Sequence, residues 1–193
     1  MPAVVFVPGI WDTGGKFDRL AEALAEAGWQ TYEVALAPDD GSVALPVLAK
    51  ELRKFVNGKL GWWRRFDIVA FSMGGLVARS YVQRLGGLAR VDHFVTISTP
   101  HHGTNTAELG KLPGFLDMRP DSAFLRDLDK DANRLSRISF TSIWTPLDLM
   151  IVPADSSRLP IGDEVKIPVL THNWMITDSR VIKAVLAALA VKK

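Results

Sequence analysis

The sequence of 193 residues contains no cysteine. Disulfide bonds, thiolate nucleophiles and cysteine-based metal sites are therefore excluded, and the chain does not depend on an oxidising compartment. No apolar run reaches the roughly 18 residues that a membrane-spanning helix requires. Internal repeats and low-complexity tracts are absent as well. These absences leave an ordinary globular chain with enough residues for one core, so we expect a single domain over residues 1–193.

Excess charge of either sign is also small. There are 23 Lys and Arg residues against 21 Asp and Glu residues, which gives a formal net charge of +2. The densest basic segment, Trp62-Trp63-Arg64-Arg65, is interpreted as a solvated turn rather than a nucleic-acid-binding patch. No signal-peptide pattern precedes the first apolar run. We therefore expect a cytoplasmic protein with no nucleic-acid partner and no stable membrane insertion; the oligomeric state stays open.

Short apolar runs alternate with longer amphipathic stretches along the chain. The short runs predict six strands, at residues 3–7, 30–36, 66–71, 91–98, 139–145 and 165–170. The amphipathic stretches predict five helices, at residues 16–27, 43–55, 74–85, 122–128 and 178–191. Apolar strands separated by helices indicate an α/β fold, with a parallel sheet covered on both faces. Active sites in such sheets lie beyond the carboxyl ends of the strands.

A serine follows the third predicted strand directly, in the segment Ala70-Phe71-Ser72-Met73-Gly74-Gly75. A serine between a strand and a helix, with small residues two positions before and after it, is typical of a nucleophile elbow. The turn is so tight that its neighbours must be small, and its strain holds the hydroxyl where a base can reach it. Ser72 is therefore the predicted nucleophile. The alternative is a serine that only caps the helix.

This elbow resembles that of small bacterial lipases and esterases of the α/β-hydrolase superfamily. Three other stretches resemble loops and segments of the same enzymes: Val7-Pro8-Gly9-Ile10-Trp11, Ser98-Thr99-Pro100-His101-His102-Gly103-Thr104 and Arg119-Pro120-Asp121-Ser122-Ala123-Phe124-Leu125. The resemblance implies a minimal α/β-hydrolase with a six-stranded, mostly parallel sheet in the order 2-1-3-4-5-6 and helices on both faces. The sequence departs from the family pattern at Pro8, where a histidine usually braces the oxyanion loop.

An acid and then a histidine follow the nucleophile along the chain in this superfamily. Asp148 stands just past the fifth predicted strand and resembles the acid, with Asp155 and Asp163 as alternatives. No histidine other than His172 lies beyond Asp148, so His172 is the predicted base. A histidine can take the proton of Ser72, and an ionised aspartate fixes its tautomer and stabilises the imidazolium.

The surroundings of the predicted site follow from the resemblance and from position in the chain. The resemblance assigns the oxyanion-hole N–H groups to Ile10 and Met73. Trp11 and Trp174 are interpreted as lining an apolar acyl pocket, and packing at the rim of the core is the equal alternative. Residues 101–137 leave room for a small cap but not for a large lid domain. This length favours an open site and esters of short-to-medium acyl chains.

The remaining candidate ligands are interpreted as structural. His93 lies early in a strand, and His101 and His102 are expected to organise their loop through hydrogen bonds. Two adjacent histidines do not easily face one metal, and no carboxylate has suitable spacing. A set of alternating aspartates lacks the glycine and glutamate of an EF-hand, so we predict a solvated helix face: Asp127, Asp129 and Asp131. No metal site and no cofactor are predicted.

Together these residues predict a serine hydrolase that cleaves a small-molecule carboxylic ester through an acyl-enzyme. A thioesterase or acyltransferase with the same three residues is the first alternative, because the difference lies in the pocket for the second substrate. A catalytically silent binding protein of the same fold is the second, since fold does not fix function. A dinucleotide-binding fold is excluded because no Gly-x-Gly-x-x-Gly follows the first strand.

Overall fold

A computed structural model describes residues 1–12 and 14–191. Six strands form one sheet in the order β2-β1-β3-β4-β5-β6, and every neighbouring pair is parallel. The strands are β1 Ala3–Val7, β2 Gln30–Glu33, β3 Phe66–Phe71, β4 Val91–Ile97, β5 Ser139–Trp144 and β6 Asp163–Lys166. The predicted fold class and strand order are therefore confirmed.

Helices cover both faces of this sheet. They are α1 Asp18–Glu26, α2 Leu45–Leu60, α3 Met73–Arg84, α4 Pro113–Met118, α5 Ala123–Asp129 and α6 Ser179–Leu189. One core layer lies between the sheet and α2 and α3. The other lies between the sheet and α1 and α6. The central strands are apolar on both sides because each side packs against one of these layers.

The sheet differs from the sequence prediction mainly at its last strand. A strand was expected at residues 165–170, whereas β6 spans Asp163–Lys166. The chain continues beside β5 after Lys166, but there the Val169 N–H donates to the Ile167 carbonyl over 2.9 Å and to the Thr145 hydroxyl over 3.1 Å, rather than to a carbonyl of β5. The Thr145 hydroxyl in turn donates to the carbonyl of Val169 over 2.7 Å. The buried hydroxyl of Thr145 therefore replaces the backbone pairing between this segment and β5.

Helix α2 extends further than its pattern predicted, from Leu45 to Leu60 rather than over residues 43–55. Val56 and Leu60 are buried and continue its apolar stripe, and Gly58 does not interrupt it. The helix ends at Gly61, whose φ of 71° is unfavourable for other residues. Within the described part of the chain, none of the helices combines the length and the hydrophobicity that crossing a bilayer requires.

Candidate active site

Ser72 lies on a sharp turn between β3 and α3. Its backbone has φ 52° and ψ −127°, a conformation that residues other than glycine rarely adopt. The turn is held by a hydrogen bond of 2.9 Å from the Ser72 N–H to the Ile97 carbonyl and one of 3.0 Å from the Gly75 N–H to the Ser72 carbonyl. Among the described residues, the hydroxyl of Ser72 makes no hydrogen bond and faces a cavity.

The small residues of the elbow are required by close backbone approach. A Cβ on Gly74 would overlap the carbonyl oxygens of Val7 and Pro8, at the end of the neighbouring strand β1. A Cβ on Gly75 would overlap the side chain of Thr99 in the same way. Helix α3 therefore starts tightly against the two loops that flank Ser72, which is the crowding that the sequence pattern predicted.

His172 and Asp148 are brought together although 24 positions separate them along the chain. His172 begins a 3₁₀ turn, His172–Ile176, and its Nδ1 lies 2.8 Å from Oδ2 of Asp148. Both side chains are buried. The His172 ring also packs on Phe71, with 4.7 Å between the ring centroids. Because Phe71 precedes Ser72, the imidazole lies next to the elbow.

The carboxylate of Asp148 is fixed by its own loop. Its Oδ1 accepts hydrogen bonds from the N–H groups of Met150 at 2.9 Å and Ile151 at 3.0 Å. Burial raises the pKa of Asp148, but the contact with His172 and these N–H groups outweigh it, so the pKa lies below its ordinary value. Asp148 is therefore an ionised partner for the imidazole.

The two alternative acids do not take part in this arrangement. Asp155 and Asp163 are both exposed. Among the hydrogen bonds and ion pairs of the described residues, neither contacts His172, whereas Asp148 does. Of the three candidate aspartates after β5, only Asp148 therefore contacts His172.

The loop for which an oxyanion-hole donor is predicted, here called the oxyanion loop, follows β1 and carries Ile10. In the described part of the chain, neither the Ile10 N–H nor the Met73 N–H has a backbone acceptor. The next residue, Trp11, donates its N–H to the carbonyl of Asp39 over 3.0 Å. Its φ of 53° shows that the loop bends sharply there. Two N–H groups on either side of Ser72 are thus available to a ligand.

The side chain of Asp12 lies inside this loop, although the sequence did not indicate that it would stabilise the loop. It is fully buried, accepts the Gly14 N–H over 3.3 Å and lies 3.8 Å from Nζ of Lys16. Burial raises the pKa of Asp12, while Lys16 and the N–H groups of Gly14 and Gly9 lower it less. A buried carboxylate therefore contacts the loop at Gly14, after the position where Pro8 departs from the family pattern. The only sequence signal was an aspartate four positions before a lysine.

Ser72 opens into an apolar cavity of about 590 Å³. Its other lining residues come from the oxyanion loop, from residues 100–118 and from the loop after Asp148: Ile10, Trp11, Pro100, Thr104, Thr106, Ala107, Leu109, Gly110, Phe115, Met118, Leu149, Met150 and Ile151. Trp11 thus lines the cavity, as predicted for a pocket residue. Trp174 is not among the described residues that line it; it is exposed on the turn that begins at His172.

The rings of His101 and His93 have side-chain partners, whereas His102 bonds to Ser156 only through its backbone N–H among the described residues. His101 is fully buried, and its Nε2 lies 3.1 Å from the Thr96 hydroxyl. Burial, together with nearby Arg79, lowers the pKa of His101 well below its ordinary value, so the ring is neutral. His93 lies at the opposite end of the sheet and contacts Asp67.

The alternating aspartates are partly exposed, as predicted for a solvated face, but each also pairs with an arginine that the sequence did not indicate. Asp129 contacts the fully buried guanidinium of Arg79 at 2.6 Å, and Asp127 and Asp131 each contact Arg84 at 2.8 Å. Sequence periodicity could not reveal these partners, because the arginines lie on α3, more than 40 positions away. No group of side chains suited to a metal ion is present among the described residues.

The same fold occurs in several solved structures of hydrolases. The mature form of lipase BlEst2 from Bacillus licheniformis superposes with a TM-score of 0.77 at 18% identity, covering 98% of this chain and 92% of that one. Lipase B from Aspergillus fumigatus gives a TM-score of 0.77 at 17% identity over 91% of this chain and 49% of that one. An extracellular α/β-hydrolase from a Paenibacillus species gives 0.67 at 14% identity, covering all of both chains.

The sequence itself matches a family model over most of its length. Residues 3–126 match the model for palmitoyl protein thioesterase, a stretch that includes β1, the elbow at Ser72 and the segment at residues 119–125. The resemblance to lipases and esterases of the α/β-hydrolase superfamily is thereby confirmed. The chain belongs to the palmitoyl protein thioesterase family.

Proposed function

We propose that this protein is a serine hydrolase that cleaves carboxylic esters of short-to-medium acyl chains through an acyl-enzyme on Ser72. The observation that carries the proposal is the buried pair of His172 and Asp148 beside the nucleophile elbow. A buried imidazole with an ionised partner next to a strained serine is the arrangement that nucleophilic acyl transfer requires.

Each group has a defined task in the proposed reaction. His172, held by Asp148 through Nδ1, accepts the Ser72 proton at Nε2 while Oγ attacks the ester carbonyl. The N–H groups of Ile10 and Met73 donate to the oxyanion, and losing one such donor costs about 3 kcal/mol of barrier. The proton then passes from His172 to the departing alkoxide, which leaves as an alcohol. Water attacks the acyl-enzyme with the same histidine as base and releases the acid.

The cavity supports an apolar acyl group as the part of the substrate that the protein binds. Its walls are formed mainly by aliphatic, aromatic and methionine side chains, and its volume lies in the usual range for small-ligand sites. Leu109 and Leu149, both on the cavity wall, are also strongly exposed, so the mouth opens to solvent without a covering domain. An open, apolar mouth favours small esters that enter freely.

Hydrolysis of a thioester is the second candidate, and the match to the palmitoyl protein thioesterase model is the observation that supports it. The chemistry at Ser72 would be the same, with a thiolate rather than an alkoxide as the leaving group. The two functions differ in where the leaving group rests, outside the acyl cavity. Comparing kcat/KM for p-nitrophenyl hexanoate with kcat/KM for hexanoyl-coenzyme A distinguishes ester from thioester hydrolysis. Acyl transfer would be revealed by a new ester product when an alcohol is added as acceptor.

The proposed mechanism is tested by labelling with a fluorophosphonate probe and by Ser72→Ala. The wild-type protein should take up one probe per chain, and the variant should take up none and lose ester turnover by a factor on the order of 10⁴ or more. Circular dichroism checks that the variant is folded. Turnover retained by a clean Ser72→Ala preparation would remove Ser72 from the mechanism, and a wild-type protein that takes up no probe would favour a silent binding protein.

A further inference from the structure

Two adjacent tryptophans lie at the surface on the turn after α2. The exposed fractions of Trp62 and Trp63 are 64% and 93%. Tryptophan is seldom left this exposed, and large exposed apolar groups that lie together usually mark a contact surface. We refer to residues 59–65 as the tryptophan turn.

The backbone of the tryptophan turn is fixed from beneath by Arg90. Its guanidinium donates to the carbonyls of Gly61 at 2.6 Å and Arg64 at 3.1 Å, and to Oδ1 of Asn57 at 2.8 Å. It also lies over the ring of Phe66. Because one arginine holds both ends of the turn, the two indoles project from a rigid support, which lowers the entropy cost of binding.

Basic charge is concentrated in the same region. Residues 50–65 contain six of the 23 basic residues and one of the 21 acidic residues, so the rest of the chain, with 17 and 20, is net acidic. The six are Lys50, Arg53, Lys54, Lys59, Arg64 and Arg65. The positive net charge of the protein is therefore located at α2 and the tryptophan turn.

We propose that the tryptophan turn is a peripheral docking site for an anionic lipid bilayer. Indole rings prefer the headgroup region of a membrane, where their apolar body and polar N–H are both accommodated. Lys59, at the end of α2 next to the indoles, supplies attraction to anionic headgroups, and the other basic side chains of α2 add to the positive potential of this region. Rigid aromatic anchors combined with several lysines give the two signals that reversible membrane binding needs.

The side chains of the turn favour a lipid surface over a nucleic acid. Arg65 contacts Asp92, and Arg64 donates to the carbonyl of Met1 and to Gln30, so both guanidinium groups already have partners. Trp63 is almost fully exposed and therefore projects outward, whereas single-stranded nucleic acids bind in a basic groove. A protruding pair of indole rings therefore fits the headgroup region of a bilayer better than it fits a nucleic acid.

Docking through this turn is independent of the proposed hydrolysis. Strand β3 begins at Phe66, directly after the turn, and ends at Phe71, directly before Ser72. Six residues at about 3.3 Å each separate the two ends by about 20 Å. The tryptophan turn and the cavity at Ser72 thus lie at opposite ends of the sheet.

The experiment is co-sedimentation with vesicles of phosphatidylcholine alone and of phosphatidylcholine with phosphatidylserine. The wild-type protein should bind the anionic vesicles more tightly, and added salt should weaken this binding. The double variant Trp62→Ser/Trp63→Ser should bind at least about tenfold more weakly, and Lys59→Gln about fivefold more weakly. Both variants should keep the thermal stability of the wild type, because the altered side chains are exposed.

Trp174→Ser is the matched control, since Trp174 is similarly exposed, at 56%, but lies at the other end of the sheet. It should bind the anionic vesicles as the wild type does. The proposal is overturned if the wild type binds no vesicles, if Trp174→Ser loses as much binding as the double variant, or if the protein binds an oligonucleotide and not the vesicles. Ester turnover, measured in parallel, reports on the proposed hydrolysis separately.

Discussion

The imidazole Nδ1 of His172 lies 2.8 Å from Oδ2 of Asp148, while Oδ1 of the same carboxylate accepts two backbone N–H groups. The carboxylate is thus held from one side by its own loop and from the other by the histidine. A carboxylate acceptor at Nδ1 orients the imidazole and favours the tautomer whose Nε2 can accept a proton, which the proposed general base needs.

Asp148→Asn should keep the fold and lower kcat for a p-nitrophenyl ester about 10⁴-fold, because an amide favours the wrong tautomer of His172. Steady-state kinetics at neutral pH measure the loss. Asp155→Asn is the control, since Asp155 follows the same strand but is exposed. Nearly full activity is expected for Asp155→Asn; a large loss there with little change in Asp148→Asn would assign the acid to Asp155.

Phe115→Ala should shift the preferred ester toward longer acyl chains. The Phe115 ring lines the cavity and covers Gly110 and Gly41, where a Cβ on Gly41 would lie 2.7 Å from the ring. Removing the ring opens space that continues from the cavity, so kcat/KM for the longest chains should rise about tenfold. Leu112→Ala, just before α4 and outside the lining, should leave the chain-length profile of a p-nitrophenyl ester series unchanged. Equal profiles for Phe115→Ala and wild type would place the acyl chain elsewhere.

Gly74→Ala should lower the free energy of unfolding by about 1–3 kcal/mol or more, because the new methyl group overlaps the carbonyl oxygens of Val7 and Pro8. Gly58→Ala is the matched control in α2, where a Cβ meets no atom within 4 Å. It should raise stability by about 0.5–1 kcal/mol, since alanine favours the helix. Urea unfolding measures both. A Gly74→Ala protein as stable as wild type would contradict the close approach.

His93→Gln should destabilise the protein more in acid than in base. A hydrogen bond to Asp67 at 2.7 Å raises the pKa of His93, helped by the Val191 carbonyl at 2.7 Å and opposed by burial. The charged ring therefore stabilises the folded state fully below its unfolded pKa of about 6.5, and this contribution is lost as the pH rises through the raised folded pKa.

Thermal unfolding of wild type and His93→Gln at about pH 5.5 and about pH 9 tests this, with the larger difference in melting temperature expected at the lower pH. An effect of His93→Gln that grows with pH would mean that the ring is held neutral.

The sequence predicted the parts of the molecule that local chemistry determines. β1 and β3 were placed at their observed bounds because their apolar runs, broken only by Asp67 in β3, stop at Pro8 and at Ser72. β6 was misplaced because this edge strand, Asp-Glu-Val-Lys, has no apolar run and the segment after it pairs through Thr145. The burial of Asp12 and the partners of Arg79 depend on contacts between distant segments, which no local pattern contains.

The left-handed backbone of Ser72 has a consequence for how this protein tolerates change. A side chain at this φ and ψ costs about 1–3 kcal/mol relative to an unstrained residue. Glycine at position 72 would relieve that cost, so a chain without a hydroxyl at the bend should be more stable. Selection for thermal resistance alone would therefore favour loss of the proposed nucleophile, and a stabilised variant has to be screened for turnover as well as for melting.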